Sequence, residues 1–162
     1  MAYTTIDTRI GELTIVGAGS VVTGVYQQHH DPEPDSWLFG ARDDRALAAA
    51  ADQLLEYFAG DRTDFTVATR ARGTEFQERV WGVIREIPFG ETRSYGEIAA
   101  AAGSPKAVRA VGLANRANPL TVLVPCHRVL SASGKLSGYA GGIENKRRLL
   151  AHEAAIVARI AA

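Results

Sequence analysis

The chain has 162 residues, 46% of them hydrophobic, with 18 acidic and 18 basic side chains. That length allows one domain of ordinary size or two small domains that share an interface. The sequence has no run of 18 apolar residues and no basic N-terminal start followed by an apolar stretch, which argues against a membrane span and against export. Its single cysteine, Cys126, cannot form an internal disulfide, as suits a reducing compartment. We therefore expect a cytoplasmic protein with one free thiol.

The opening third of the chain predicts a small antiparallel sheet. Short β-prone runs at 3–7, 13–16 and 21–27 are separated by glycine-containing turns. The polar stretch His29–Ser36, which contains two prolines, predicts a loop. A helix is predicted over Arg42–Ala59, ended by Gly60–Thr63. The helix residues expected to face the sheet are Leu47, Leu54, Leu55 and Phe58.

The charges along the chain change sign after this third. Residues 1–64 hold 11 acidic and four basic side chains, so the remainder carries a net charge of +7. No carboxylate lies between Glu97 and Glu144, whereas five cations do: Lys106, Arg109, Arg116, Arg128 and Lys135. Such a stretch could attract a phosphate backbone, but an ordinary solvated face can have the same composition. We place a domain boundary near Asp64–Gly73, which divides the chain into residues 1–72 and 73–162.

A pair of short helices is well marked in the second part, after a first helix near Thr74–Glu86. Ser94 and Glu97 have the spacing of a capping box, and Gly103 supplies a left-handed residue that ends the helix. Ser104-Pro105 then predicts a second helix over Pro105–Ala117. Two short helices joined by a tight turn are typical of a helix-turn-helix motif. Many such pairs merely pack in protein cores, so the motif alone does not establish DNA binding.

The only cysteine follows a short β-branched run, Thr121–Val124, that predicts a strand closed by Pro125. A lone cysteine is most often a buried small hydrophobe. Here His127 and Arg128 place a base and a cation beside the sulfur, and the proline is expected to expose it, so the run favours a reactive thiolate. Neighbouring side chains of an extended chain point in opposite directions, so His127 could reach Cys126 only through a turn or a bridging water.

The complete pattern resembles the O6-alkylguanine-DNA alkyltransferase family, also called methylated-DNA–protein-cysteine methyltransferases. The resemblance is close over Gly73–Glu153 and looser over the N-terminal part. It rests on four runs: Pro125-Cys126-His127-Arg128-Val129, Arg109-Ala110-Val111-Gly112, Asn118-Pro119 and Gly138-Tyr139-Ala140-Gly141-Gly142. The family implies an α+β protein: an N-terminal ribonuclease-H-like domain with an antiparallel sheet and helix, followed by a C-terminal winged helix-turn-helix domain.

The resemblance also implies roles for three catalytic residues. Cys126 matches the alkyl acceptor, His127 the base that reaches the sulfur through a water, and Glu153 the carboxylate that orients this histidine. From the residues alone, Glu153 lies at the end of an apparent helix over Ile143–Glu153, where it could equally be a surface carboxylate. Arg128 is expected to form an ion pair.

Six further positions match the parts that handle DNA and the damaged base. Tyr95 matches the tyrosine that helps to rotate the nucleotide, and Arg109 matches the finger that fills the gap left by the flipped base. Asn118 matches a hinge between the recognition helix and the reactive turn, although an Asn-Pro pair is also an ordinary helix stop. The guanine pocket is matched by Tyr139 together with the backbone of Val129 and Ala140.

The implied partner is double-stranded DNA that contains O6-alkylguanine, and the implied reaction is one irreversible transfer per molecule without a cofactor. A zinc site built from cysteines, found in some members, cannot be assembled when Cys126 is the only cysteine. We expect a monomer that does not bind membranes, and clustering on DNA is left open. Two alternatives remain: a thiol hydrolase that uses Cys126 and His127, and a DNA-binding regulator with an inert cysteine.

Overall fold

A computed structural model describes all 162 residues. Its first third is a four-stranded sheet in the order β3-β2-β1-β4. The strands are β1 (Ala2–Thr8), β2 (Gly11–Ala18), β3 (Val21–Gln27) and β4 (Ala41–Arg42). The first three are antiparallel neighbours, as predicted, and the short β4 lies parallel to β1.

One helix, α1 (Ala48–Ala59), packs on this sheet and begins six residues later than predicted. The delay arises because Arg42, the first residue of the predicted helix, belongs to β4, and the Asp43 side chain then accepts a hydrogen bond from Ala46 N (3.0 Å) in a turn. Gly60 ends α1 with a left-handed backbone (φ 83°). The prediction for Leu55 was wrong, because its side chain is 43% exposed, whereas Tyr57 is completely buried.

The second part begins with α2 (Glu75–Arg85), which is followed by α3 (Tyr95–Ala101) and α4 (Val108–Arg116). The predicted capping box at Ser94 is present, and Gly103 has φ 79°. The prediction that α4 begins at Pro105 was wrong. Ser104 does not cap it, since its carbonyl accepts from Ala107 N (2.9 Å) in a turn that precedes the helix.

The predicted strand at 121–124 is also absent. Val122 has a positive φ of 71°, and Val124 N donates to Leu120 O (2.8 Å), so the chain turns back on itself. Cys126–Arg128 then form one 3-10 turn, and Val129–Leu130 (β6) pairs with Arg93–Ser94 (β5). We call residues 118–128 the reactive turn.

The last helix, α5, runs from Ile143 to Ala161, eight residues beyond the predicted end. No glycine or proline follows Glu153 to stop it. None of the helices combines the length and apolar composition that a bilayer span requires.

A single hydrophobic core of 28 buried residues includes side chains from both parts of the chain. The two parts also share backbone bonds: Val25 N of β3 donates to Pro119 O (2.8 Å), and Thr121 Oγ1 donates to Val25 O (2.7 Å). The reactive turn is therefore held by the N-terminal sheet on one side and by the helices on the other. The domain boundary at 72/73 stays a prediction.

Candidate active site

The thiol of Cys126 lies inside the protein. The residue is 1% exposed, and its backbone N–H donates to Val124 O (2.8 Å). Burial raises the pKa of the Cys126 thiol to about 11, although Asn118 and the charge of Lys146 act in the opposite direction. The prediction that Pro125 exposes the sulfur was wrong, because the 3-10 turn directs Cys126 inward. Arg128 does not favour the thiolate either, because its guanidinium forms an ion pair with Glu153.

His127 is the next residue of the turn and is completely buried. Its Nε2 lies 2.8 Å from Glu153 Oε1, whereas its Nδ1 makes no hydrogen bond within the protein. Burial lowers the pKa of His127, against the opposing effect of Glu153, and so favours the neutral imidazole. A neutral imidazole that donates from Nε2 to a carboxylate has its lone pair on Nδ1. This nitrogen is therefore a buried basic atom without a hydrogen-bond partner in the protein.

Glu153 is a buried carboxylate that accepts hydrogen bonds on both oxygens. Arg128 donates from Nη2 to Oε1 (2.8 Å) and from Nε to Oε2 (2.9 Å), and Gly90 N donates to Oε2 (3.2 Å). Burial alone would raise the pKa of Glu153, but the hydrogen bonds and charges of His127 and Arg128 hold it well below its usual value. Glu153 is therefore an anion at all physiological pH values, and Arg128 is the ion-pair partner that keeps it so.

Asn118, the first residue of the reactive turn, is buried close to the end of α4 and bonds to the rest of the turn with both ends of its amide. The neighbouring Asn115, also buried, donates from Nδ2 to Cys126 O (3.3 Å). The amides thus connect the helix-turn-helix to the backbone around the sulfur.

The loop before α5 brings together the residues predicted to line the base pocket. Tyr95 OH, at the start of α3, donates to Ser137 O (3.0 Å), and Tyr139 OH bonds to Gln27 of β3. Ala140 O accepts from Asp31 N (2.8 Å), and Val129 O accepts from Lys146 Nζ (2.6 Å). Burial raises the pKa of both tyrosines, which therefore keep their hydroxyl protons at neutral pH.

Comparison with known proteins identifies the family of proteins that this chain resembles. Residues 75–155 match the family model described as 6-O-methylguanine DNA methyltransferase, DNA binding domain, and residues 1–71 match the ribonuclease-like domain of the same methyltransferase. The chain belongs to the 6-O-methylguanine DNA methyltransferase family. The family prediction is therefore confirmed, as is the α+β fold class with an N-terminal sheet and a helical C-terminal DNA-binding part.

Individual members of the family are similar along most of the chain. The methylated-DNA–protein-cysteine methyltransferase of Mycobacterium tuberculosis is 54% identical, over 91% of this chain and 89% of its own. The constitutive enzyme of Bacillus subtilis is 44% identical, over 86% of each. A crystal structure of M. tuberculosis OGT in complex with DNA has a TM-score of 0.92 and 51% identity, and covers 96% of this chain and 94% of its own. These relatives favour neither the thiol hydrolase nor the regulator.

Arg109, the residue predicted to fill the gap left by the flipped base, lies in the first turn of α4 and is exposed. The opposite face of this helix is buried through Val111, Ala114 and Asn115, and Trp81 Nε1 of α2 donates to Ala114 O (2.7 Å). The helix is therefore fixed from behind while Arg109 faces outward. Arg109 lies apart from the buried group formed by Cys126 and its neighbours.

Sequence reasoning missed Lys146, Gln27 and Tyr57. Lys146 is completely buried in α5, and its Nζ donates to Val129 O and to Ser137 O (2.9 Å). Burial lowers the pKa of Lys146 to about 8. The available signal was its spacing, since Lys146, Leu149 and Glu153 share one helical face. No comparable signal marks Gln27 or Tyr57, whose partners lie about a hundred residues away.

Proposed function

We propose that this chain repairs DNA by moving the alkyl group of O6-alkylguanine to Sγ of Cys126, once per molecule. The observation that carries the proposal is the buried series of a thiol, a neutral imidazole and a fixed carboxylate on Cys126, His127 and Glu153. A nucleophile, a base and a group that orients the base are the parts that nucleophilic catalysis requires. The proposal is supported by the family to which the chain belongs.

The thiol must lose its proton during the reaction, because a group with a pKa of about 11 is almost entirely protonated at neutral pH. We assign the role of base to Nδ1 of His127, which takes the proton through an intervening water. The imidazolium that forms is stabilised by Glu153, which is already ionised. The sulfur then forms a bond to the alkyl carbon as the bond from that carbon to O6 breaks. The electron pair of the C–O6 bond stays on guanine, which takes up one proton and remains in the DNA. This uptake balances the proton that His127 removed from the thiol.

The damaged base has to leave the duplex before this reaction, since Cys126 is buried and no group inside a base stack could reach it. We assign Arg109, on the exposed face of α4, to the space that the base vacates. Tyr95, at the N-terminus of α3, would face the rotated nucleotide. The pocket for guanine would be formed by Tyr139 and the backbone of Val129 and Ala140. Asn118 would keep this pocket in register with the recognition helix.

The partner in this proposal is double-stranded DNA that carries the lesion, bound by the helix-turn-helix of α3 and α4. We expect the protein to act as a monomer in the cytoplasm, with residues 1–72 and 73–162 as its two domains. The proposed reaction requires no cofactor, because thiol, base and carboxylate all come from the chain.

The test is the intact mass of the protein after exposure to a duplex that contains one O6-methylguanine. We expect a gain of one methyl group, located on Cys126 by peptide mapping. Cys126→Ser should gain nothing and still bind the duplex within a few-fold, because affinity comes from the helix-turn-helix. A modified Cys126→Ser protein would remove the thiol from the mechanism. Repeated turnover would favour the thiol hydrolase, and no transfer by the wild-type protein would favour the regulator.

A further inference from the structure

We propose that Tyr57 of α1 is a positioning residue for the transfer reaction: its hydroxyl fixes Oε1 of Glu153 and limits the negative charge that this oxygen presents to His127. The inference rests on the proposed function, in which His127 is the base. A residue of the N-terminal part of the chain would then contribute to the chemistry, although Cys126, His127, Glu153 and the recognition helix all belong to the C-terminal part.

The geometry of Tyr57 is specific. The side chain is completely buried, and its OH donates to Glu153 Oε1 at 2.8 Å. His127 Nε2 lies at the same distance from the same oxygen. The backbone of Tyr57 is held as well, since its carbonyl lies 2.8 Å from Nε2 of His152. Consecutive residues of α5 thus contact both the backbone and the side chain of one residue of α1.

The aromatic ring is locked by its neighbours. Phe89 and His152 approach it edge-on, with centroid distances of 6.0 Å and 5.2 Å. The hydroxyl therefore has a fixed direction and cannot rotate away from the carboxylate without displacing buried rings. Burial, and then the charge of Glu153, raise the pKa of Tyr57 well above 10, so the hydroxyl remains a donor throughout the working range.

Donors to one carboxylate oxygen share its negative charge. Because Tyr57 and His127 bond to the same atom, the tyrosine reduces the stabilisation that Oε1 gives to an imidazolium. The other ionisable groups around this pair are Arg128 and Cys126 of the reactive turn, Lys146 and His152 of α5 and Tyr139 of the preceding loop. Tyr57 is the only one of these groups that comes from the N-terminal part. Its effect is to keep His127 neutral until the thiol gives up a proton.

Tyr57→Phe removes the hydroxyl and keeps the ring. We expect the pKa of His127, followed by NMR of the imidazole, to rise by about half to one unit, because Oε1 then presents more charge. The acid limb of the pH dependence of methyl transfer should move to higher pH with it, and the affinity for duplex DNA should stay within two-fold. Tyr26→Phe is the matched control: it removes a hydroxyl from a partly buried tyrosine outside the site and should change neither quantity.

Two further variants sharpen the test. In a Glu153→Gln background, Tyr57→Phe should have no additional effect on His127, whereas an equal shift there would overturn the proposal. Substituting 3-fluorotyrosine for Tyr57 strengthens the donor without removing the ring and should lower the pKa of His127. If Tyr57→Phe lowers the melting temperature and leaves the pKa of His127 unchanged, Tyr57 is only structural. Failure of the proposed function would appear separately, as a wild-type protein that titrates as described and transfers no methyl group.

Discussion

Arg116 at the end of α4 forms an ion pair with Asp31 in the loop after β3. This pair and the buried pair of Arg128 with Glu153 remove two members from the group of five cations that the sequence suggested for DNA binding. Lys106, Arg109 and Lys135 are exposed and form no ion pair within the protein. Only three of the five cations of the basic stretch are therefore free to contact DNA phosphates.

The salt dependence of binding should reflect this smaller number. With three cations on phosphates, the logarithm of the affinity should fall with the logarithm of salt concentration with a slope of about −3. Fluorescence anisotropy of a labelled duplex across a sodium chloride series measures the slope. Asp31→Asn frees Arg116 and should steepen it by about one. A slope near −4 in the wild-type protein would mean that the ion pair opens on DNA.

Arg109→Ala should slow repair of duplex DNA much more than reaction with the free alkylguanine base. The reason is that the finger matters only where a stacked base must be extruded, at a cost of roughly a few kcal/mol. Single-turnover rates on the two substrates provide the comparison, and Lys106→Ala serves as a control for the loss of a nearby exposed charge. Equal losses on both substrates would assign Arg109 to maintenance of the fold.

Asn118→Ala should destabilise the protein by about 2–4 kcal/mol. The side chain donates from Nδ2 to Val124 O (2.9 Å) and accepts from Leu120 N (3.0 Å). Its removal leaves Leu120 N buried and unpaired and takes one of the two hydrogen bonds of Val124 O, which keeps the bond from Cys126 N. Asn118→Asp retains the acceptor and should cost less. Denaturant unfolding measures both changes. If the two variants lose the same stability, the bond to Val124 carries the whole effect.

Glu153→Gln should change how stability depends on pH. The folded protein holds the pKa of this carboxyl below its unfolded value of 4.5, so the unfolded chain takes up a proton first as the pH falls. The contribution of Glu153 is therefore complete above about pH 5 and is lost progressively as the pH falls below 4.5. Melting temperatures between pH 7 and pH 3 should fall less steeply for Glu153→Gln than for the wild-type protein. Parallel curves would contradict the assignment of a fixed anion.

Methylation of Cys126 should lower stability by about 1–3 kcal/mol, because the added carbon enters a packed turn around a residue that is 1% exposed. Titration with excess methylated duplex should stop at one methyl group per molecule, since a thioether has no good leaving group. Melting curves before and after the titration test the packing effect. Cys126→Ser exposed to the same duplex should melt unchanged. More than one group removed per molecule would exclude a single-turnover reaction.

Local signals predicted the sheet, the capping box of α3 and the left-handed Gly103, because each depends on residues a few positions apart. The inward turn of Cys126 could not be predicted in this way, since it requires Val122 in a left-handed conformation that a β-branched residue rarely adopts. The placement of Glu153 was predicted only through the family, because a carboxylate on a helix carries no mark of its distant partners Tyr57 and Gly90. Hydrogen bonds between residues this far apart in the sequence form only when the chain has folded, so local sequence patterns do not reveal them.

The hydrogen bonds of Val25 to Pro119 and Thr121 bear on how this protein could be recombined with its relatives. Exchange of the halves at residue 72 would join a β3 strand and a reactive turn that were not selected together, and a mismatch would leave buried backbone groups without partners. A chimera that carries Val25, Pro119 and Thr121 from the same parent avoids this conflict. The crossover that preserves folding is thus set by contacts in space, and it does not coincide with the point where the charge of the chain changes sign.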